Sequence, residues 1–269
     1  MMQQISAKKD IFAKREFMDK KGQIAIFVIV GILLVATTGF LFIVNRKPTA
    51  STRGQNFDNP ESFIDNCIRQ EAEESIDKIM AHGGFPDSTD NVLYKGTEIA
   101  YLCKNINPYQ PCVNQHPLYL REVEQEILRI VSDKVSQCFS SLEQELIRKN
   151  YLIDAGPISL GIQVKPKITQ FSVNRKFIMS KEEDIRTYEK FEVFVSSPLY
   201  EIALIVHEIL FQETKWCYFS NDGFMLTYPD FDIKLDKLSD STKIYTIEHK
   251  LTDEKMTFAI KGCAIPQGF

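Results

Sequence analysis

A run of 21 residues without a charged side chain, residues 24–44 (IAIFVIVGILLVATTGFLFIV), constrains this chain more than any other feature. As an α-helix it would be roughly 31 Å long, which matches the hydrocarbon core of a bilayer. The apolar region of a secretory signal is usually shorter, about 7–15 residues. A buried core helix is the other possibility, but the run is apolar on all sides and charged residues flank it. We therefore expect a transmembrane helix over residues 23–45.

The basic residues around this run set its expected orientation. Six lysine and arginine side chains precede it and three follow it closely: Lys8, Lys9, Lys14, Arg15, Lys20 and Lys21 before, and Arg46, Lys47 and Arg53 after. The more basic flank of a membrane helix stays in the cytoplasm. The sequence thus predicts a cytoplasmic leader over residues 1–22, a single-pass span in the cell membrane, a short polar linker over residues 46–58, and an extracytoplasmic body beyond the linker.

Charge is distributed unevenly along the chain. Residues 1–47 hold eight basic and three acidic side chains, a net charge of +5, whereas the remaining residues hold 24 basic and 33 acidic ones, a net charge of −9. General nucleic-acid binding needs a basic surface, which the acidic body does not offer. We expect the lipid bilayer as a partner and no nucleic acid.

The junction before the apolar run carries a more specific signal. The sequence Lys20-Lys21-Gly22-Gln23 stands directly in front of it, and it resembles the class III signal of archaeal type IV pilin-like proteins. In that family a peptidase cuts after the glycine, so the resemblance implies a cut between Gly22 and Gln23 that leaves the apolar helix on the mature protein. Many pilins carry glutamate five residues into the mature chain, where this sequence has Phe27. The alternative is a simple basic stop before an ordinary membrane helix.

Residues 59–150 predict a helical region with a short β-hairpin. Asn59 can cap a helix whose apolar stripe runs to Met80, and Gly83-Gly84 supplies the left-handed turn that ends it. Residues 91–103 are typical of a short hairpin, and a second long helix is predicted over residues 118–149. The two striped helices should pack face to face, because neither can leave its apolar stripe in water.

Residues 151–269 predict a sheet covered by a helix. Strands are expected at residues 158–164, 168–179 and 185–195, followed by a helix from Ser197-Pro198 to about Lys215. Asn221-Asp222-Gly223 is a strong turn signal. Further strands are expected at residues 224–228, 231–238, 243–250 and 256–261. Short turns between successive strands indicate an antiparallel sheet, and the predicted class is α+β.

All six cysteines follow the apolar run, which suggests three disulfides on the extracytoplasmic side. The preferred pairs are Cys67 with Cys138, Cys103 with Cys112, and Cys217 with Cys263. The first pair lies on the two stripes expected to meet, the second brackets a short loop, and the third follows a helix and a strand. Buried free thiols are the alternative. Zinc binding by Cys103, Cys112 and His116 is not expected, since their spacings of nine and four do not match structural zinc sites.

A search for catalytic patterns gives no candidate residue. The residue four after His207 is Phe211, so the zinc-protease pattern fails, and Ser159 has the wrong spacing for a nucleophile elbow. Asp230 and Asp232 could hold calcium, but a carboxylate pair at a strand edge is usually solvated. We therefore expect no metal, no cofactor and no catalytic site.

The whole arrangement resembles a family of single-pass membrane proteins, without assigned activity, from small-genome archaea of the DPANN group. The segments that carry the resemblance are Lys20-Lys-Gly-Gln-Ile24, Phe63-Ile-Asp-Asn-Cys67 with Gly83-Gly84 behind it, the long helix bearing Cys138, the Ser197-Pro-Leu199 helix leading to Trp216-Cys217, and the strand Ser241-Thr-Lys-Ile-Tyr-Thr-Ile247. The resemblance covers most of the chain and implies an archaeal cell-surface protein, with no catalytic residues to carry over.

Two classes of function remain open from the sequence. The first is a noncatalytic surface module for adhesion, envelope structure or protein contacts, either a tether or a pilin-like subunit that self-assembles. The second is an extracytoplasmic enzyme or small-ligand receptor, which would need a deep pocket with convergent polar groups. An accessory subunit of a secretion or assembly machine is a further alternative.

Overall fold

A computed structural model describes residues 30–33 and 59–263. The chain divides into two compact units, Met1–Gln55 and Asn56–Phe269. In the first unit, the described residues 30–33 are helical and expose Val30, Ile32 and Leu33. The rest of the transmembrane helix predicted over residues 23–45, the leader and the linker lie outside the described residues. Among the described residues, no helix is long and apolar enough to cross a membrane.

Two long helices of the second unit, α1 (Pro60–Ala81) and α2 (Tyr119–Arg148), pack together along their apolar stripes. The side chain of Asn59 accepts a hydrogen bond from the backbone N–H of Ser62 at 3.3 Å and so caps the start of α1. At the other end Gly83 has a φ of 69°, and a Cβ there would lie 3.0 Å from the Cβ of Phe258. The helix therefore needs glycine there both for the left-handed turn and for close packing on the sheet.

The first sheet is mixed and joins the two halves of the second unit. Its strands are β1 (Asn91–Tyr94), β2 (Thr97–Lys104), β3 (Val113–Asn114), β8 (Phe231–Lys237), β9 (Thr242–His249) and β10 (Lys255–Lys261). Their order is β1-β2-β10-β9-β8, with β3 also paired to β2. Strand β10 runs parallel to β2 and antiparallel to β9.

The second sheet is wholly antiparallel. Its strands are β4 (Leu152–Ala155), β5 (Ser159–Lys165), β6 (Ile168–Lys181) and β7 (Asp184–Ser196). Strand β7 pairs along one edge of the long strand β6, while β4 and β5 share the other edge. Helix α1 packs on β7, and α2 packs on β4 and β5.

Helix α3 (Leu199–Trp216) connects the two sheets and contacts α2 and strands of both. It buries the stripe that the sequence predicts, including Ile202, Val206, Ile209 and Leu210. One large core runs through the helices and both sheets. The position of α3 matters most for the site, because its last turn ends where the first sheet and two disulfides come together.

The predicted α+β class is confirmed, and several finer predictions differ from the structure. The strand expected at residues 224–228 is wrong: Asn221–Thr227 form a short helix, α4. In this helix the ring of Phe224 packs on that of Phe219, with 5.6 Å between the ring centres. The sulfur of Met225 accepts a hydrogen bond from the backbone N–H of Ile233. These contacts outweigh the local turn signal. Strands β3 and β4 were not predicted. The strands form two sheets, one of them mixed, rather than one antiparallel sheet.

Candidate functional site

The six cysteines form three disulfides, so the expectation of disulfide bonds is confirmed. The pairs are those that the sequence analysis preferred, with Cα–Cα distances of 6.0 Å for Cys67–Cys138, 5.3 Å for Cys103–Cys112 and 5.8 Å for Cys217–Cys263. The first joins α1 to α2. A bonded sulfur has no thiolate to offer, so none of these cysteines acts as a nucleophile or a zinc ligand in this state.

Two of the disulfides lie at the same end of the body. The loop that Cys103–Cys112 closes is hydrogen-bonded to the end of β10: Asn105 N–H donates to the carbonyl of Lys261 at 2.7 Å, and Cys263 N–H donates to that of Gln110 at 3.0 Å. Cys263 is in turn bonded to Cys217, the residue that ends helix α3. Loop, strand and helix are thus fastened together, which makes this end a preorganised surface.

A buried polar cluster lies directly beneath this end. The ammonium group of Lys243, on β9, lies 2.9 and 2.6 Å from the two carboxylate oxygens of Glu213 on α3, and 2.6 Å from the carbonyl of Cys217. The hydroxyl of Tyr245 donates to Oε1 of Glu213 at 2.5 Å. Glu213, Lys243 and Tyr245 are 2%, 9% and 0% exposed. We call these three residues the polar brace.

Every residue of the polar brace has hydrogen-bond partners. All three N–H bonds of the Lys243 ammonium group have an acceptor, and Glu213 accepts from both partners. Burial, together with the adjacent charge of Glu213, raises the pKa of Tyr245 far above its ordinary value, so the phenol stays protonated and donates. The brace therefore holds α3 to β9 and leaves no free base or nucleophile among its members.

A cleft of about 460 Å³ opens above the polar brace. Its rim carries Trp216 and Tyr218, which are 54% and 64% exposed, and the Cys217–Cys263 disulfide. Leu238 and Lys237 also line the cleft. Lys215 extends over the Trp216 ring, with its ammonium group 4.6 Å from the ring centre. Exposed aromatic rings held on a rigid support are typical of binding surfaces.

The other residues that the sequence analysis considered have local roles. His207 is exposed on α3, and Ser159 starts strand β5. Asp232 pairs with Lys234 at 3.0 Å rather than with Asp230. His116 lies 2.6 Å from Glu122 and stacks on the ring of Phe85. Across residues 59–263 no three His, Cys, Asp or Glu side chains come together as a metal site would need.

Sequence reasoning missed the polar brace, although one signal was present. Glu213 falls on the buried stripe of α3, since it lies four residues after Ile209 and seven after Val206. A charged residue at a core position of a helix requires a buried partner. The sequence could have predicted the need for that partner, but not that Lys243 and Tyr245 supply it from a strand about thirty residues away.

The predicted processing site, Gly22 and Gln23, lies outside the described residues. Comparison of the chain with protein-family models, with curated proteins and with solved structures gives no match.

Proposed function

We propose that this protein is a membrane-anchored archaeal cell-surface protein whose disulfide-bonded body lies outside the cytoplasm and acts by binding rather than by catalysis. The observation that carries the proposal is the pairing of all six cysteines within the body. Disulfides form and persist in oxidising compartments and are rare in the cytosol. The apolar run at residues 24–44 and its basic flank supply the anchor and its orientation.

We favour binding over catalysis because the buried polar groups beneath the cleft are hydrogen-bonded to one another. The titratable residues under the cleft, Glu213, Lys243 and Tyr245, satisfy one another and fix the fold. This end also offers aromatic and apolar side chains to solvent: Trp216, Tyr218, and, on the Cys103–Cys112 loop, Ile106 and Tyr109, which are 83% and 70% exposed. Rigid aromatic anchors of this kind contribute affinity at a low cost in conformational entropy.

The anchor can be tested by extracting membranes with alkaline carbonate after expression of the full chain. The wild-type protein should stay in the membrane pellet and need detergent for release. The double variant Val30→Lys/Leu33→Lys should be released, because each charge at the centre of a span costs about 2.5–3.5 kcal/mol of insertion free energy. The matched control Val30→Leu/Leu33→Ile should behave like wild type. Release of the wild type by carbonate would contradict the anchor.

Exposure of the body on the outer side has a separate test. Protease added to intact spheroplasts should digest the body of the wild-type protein, while a cytoplasmic marker protein stays intact. A body that is digested only after the spheroplasts are lysed would place it in the cytoplasm and would contradict the proposed orientation.

A small-ligand receptor is the second candidate, and the cleft beside Trp216 favours it. Its volume of about 460 Å³ falls in the usual range for small-molecule sites. Trp216 is the single tryptophan of the chain and lies at the cleft, so its emission reports on binding there. A panel of monosaccharides and dicarboxylates should then include a compound that changes this emission saturably in the wild type and not in Leu238→Arg, which would fill the cleft. The absence of any saturable change would remove this candidate.

A further inference from the structure

Helix α3 carries a second apolar strip opposite its buried side, and this strip is exposed among the residues that the structure describes. Its buried side packs on the core, whereas Leu204 and Phe211, seven residues apart and hence on one face, are each 51% exposed. His207 lies between them and is also exposed. Polar residues such as Glu208 and Lys215 flank this strip, so the exposed apolar face is narrow. Within the part of the chain that the structure describes, this face of α3 remains open to solvent.

The exposed side continues beyond both ends of the helix. Near its start, Leu118 is 61% exposed and lines a groove of about 400 Å³ together with Leu204. Near its end, the ring of Phe211 meets the edge of the Trp216 ring at 6.0 Å, and Tyr218 follows. We call this surface the aromatic stripe; its members are Leu118, Leu204, Phe211, Trp216 and Tyr218. Exposed apolar patches often mark contacts with a protein or a membrane, and each of these five side chains is more than half exposed.

The chemistry of the stripe matches a lipid interface. Tryptophan and tyrosine concentrate at the level of the lipid headgroups, where one end of the ring is apolar and the other is wet. Phenylalanine and leucine form the apolar side of helices that lie in this layer. The ammonium group of Lys215 lies 5.8 Å from the Phe211 ring centre and 4.6 Å from that of Trp216. A lysine whose stem covers the rings can keep its charge at the headgroups while they enter the apolar layer.

The short connection between the apolar run and the body favours a lipid surface over a protein partner as the contact of the stripe. The polar linker predicted over residues 46–58 separates the apolar run from Asn59, the cap of α1. The thirteen residues 46–58 span at most roughly 45 Å even when fully extended, so the anchored body stays close to the bilayer. A tether this short gives an effective concentration on the order of a millimolar. Even weak insertion of a few rings is then enough to populate the docked state.

We propose that the aromatic stripe docks on the surface of the membrane that anchors the chain, with Phe211 and Trp216 among the lipid headgroups. The proposal rests on the proposed membrane anchorage. Docking is apolar in character, since the chain beyond residue 47 has a net charge of −9 and is repelled by anionic lipids. It is therefore stronger on neutral than on anionic vesicles, and added salt strengthens it on the anionic ones.

The single tryptophan makes the test direct. The full chain is reconstituted into phosphatidylcholine vesicles with or without bromine on the acyl chains close to the headgroups, and Trp216 emission is recorded. Docking predicts a loss of emission in the brominated vesicles and a smaller loss when the vesicles contain phosphatidylglycerol at low salt. The variant Phe211→Glu should abolish the bromine effect. The control Leu251→Glu, at a turn residue that is 78% exposed, should retain it.

The outcomes separate this proposal from the anchorage. If the protein fails to float with the vesicles, the anchor itself is wrong. If it floats, but Trp216 is not quenched by bromine and remains open to acrylamide, the anchor stands and docking is overturned. If Trp216 is protected from acrylamide only at high protein density and is not quenched by bromine, a second copy covers the stripe, and lipid docking is again overturned.

Discussion

The ammonium group of Lys243 lies 2.6 Å from carboxylate oxygen Oε2 of Glu213, and both side chains are buried between helix α3 and strand β9. Tyr245 donates to the same carboxylate, and the carbonyl of Cys217 accepts from the same lysine. The helix end that carries Trp216 is thus fixed to the first sheet by a closed set of hydrogen bonds. These buried hydrogen bonds make the candidate binding surface around Trp216 rigid.

Removal of one charge from this pair should strongly destabilise the body. Glu213→Gln or Lys243→Met alone is expected to lower the free energy of unfolding by about 3–5 kcal/mol, because the remaining buried charge loses its partner. The double variant should lose less than the sum of the two single variants. Urea unfolding measures all three.

The exposed pair Lys190–Glu192 provides the control, since its side chains are half exposed on β7. Lys190→Met should leave the unfolding midpoint unchanged within error. Single variants of Glu213 and Lys243 that unfold at the wild-type midpoint would show that the polar brace does not hold the helix.

The disulfides should contribute according to the length of chain that they close. The bond Cys67–Cys138 spans 71 residues and Cys103–Cys112 spans nine, which predicts about 4.4 and about 2.6 kcal/mol of stabilisation in the chain-entropy model. The double variant Cys67→Ala/Cys138→Ala should therefore unfold at lower urea than Cys103→Ala/Cys112→Ala. The reverse order would mean that strain or packing, and not the restriction of the unfolded chain, determines their effect.

The sequence was most informative where the signal is local. Asn59 and Gly83-Gly84 delimit α1 because caps act within a few residues. The apolar period of α2 placed its bounds within a residue. The parallel pairing of β2 with β10 joins segments more than 150 residues apart, and no local pattern encodes it. Asn221-Asp222-Gly223 shows the opposite failure, since packing of Phe224 on Phe219 turns a strong hairpin signal into the start of a helix.

The candidate site likewise has parts that the sequence predicts and parts that depend on tertiary packing. Its cysteines could be found and paired from the stripes and loops that carry them, because disulfide partners must lie on surfaces that meet. The polar brace depends on the register of β9 beneath α3, which sets Lys243 and Tyr245 opposite Glu213. The aromatic stripe could not be distinguished from core residues in the sequence, since Phe211 and Trp216 become recognisable as surface residues only once α3 is docked.

Glu254 should make the body less stable as the pH rises. Burial, with the charge of nearby Asp77 added, raises the pKa of Glu254 above the ordinary value of 4.5. The folded state therefore binds more protons than the unfolded state in that range, and stability falls as the pH rises through it. Glu254→Gln is expected to raise the urea midpoint near pH 7 and to leave it nearly unchanged near pH 4.

Glu248 should show the opposite sign. Hydrogen bonds from Lys255 and Lys234 lower the pKa of Glu248 below 4.5, so its stabilising effect is present near neutral pH and is lost as the pH falls through the folded value. Glu248→Gln should therefore lower the urea midpoint near pH 7. If Glu254→Gln and Glu248→Gln shift the midpoint in the same direction at neutral pH, the assigned environments of these carboxyl groups are wrong.

Processing at the junction before the apolar run predicts a defined mature terminus. Co-expression with an archaeal prepilin peptidase should give a chain that begins at Gln23, read as a mass loss matching residues 1–22. Gly22→Leu should block the cut, whereas Lys21→Arg, which keeps the charge and the glycine, should permit it. An uncut wild-type chain in the presence of active peptidase would leave Lys20-Lys21 as a basic stop before an ordinary span and would remove the pilin-like version of the proposal.

The central claim is a membrane-held body closed by disulfides on the outer side, and one measurement addresses it most directly. Protein taken from membranes by detergent is alkylated before and after reduction, and its intact mass is recorded. The account predicts no added alkyl groups before reduction and six afterwards, one for each cysteine. Alkylation of the unreduced protein, or recovery of the full chain without detergent, would contradict it.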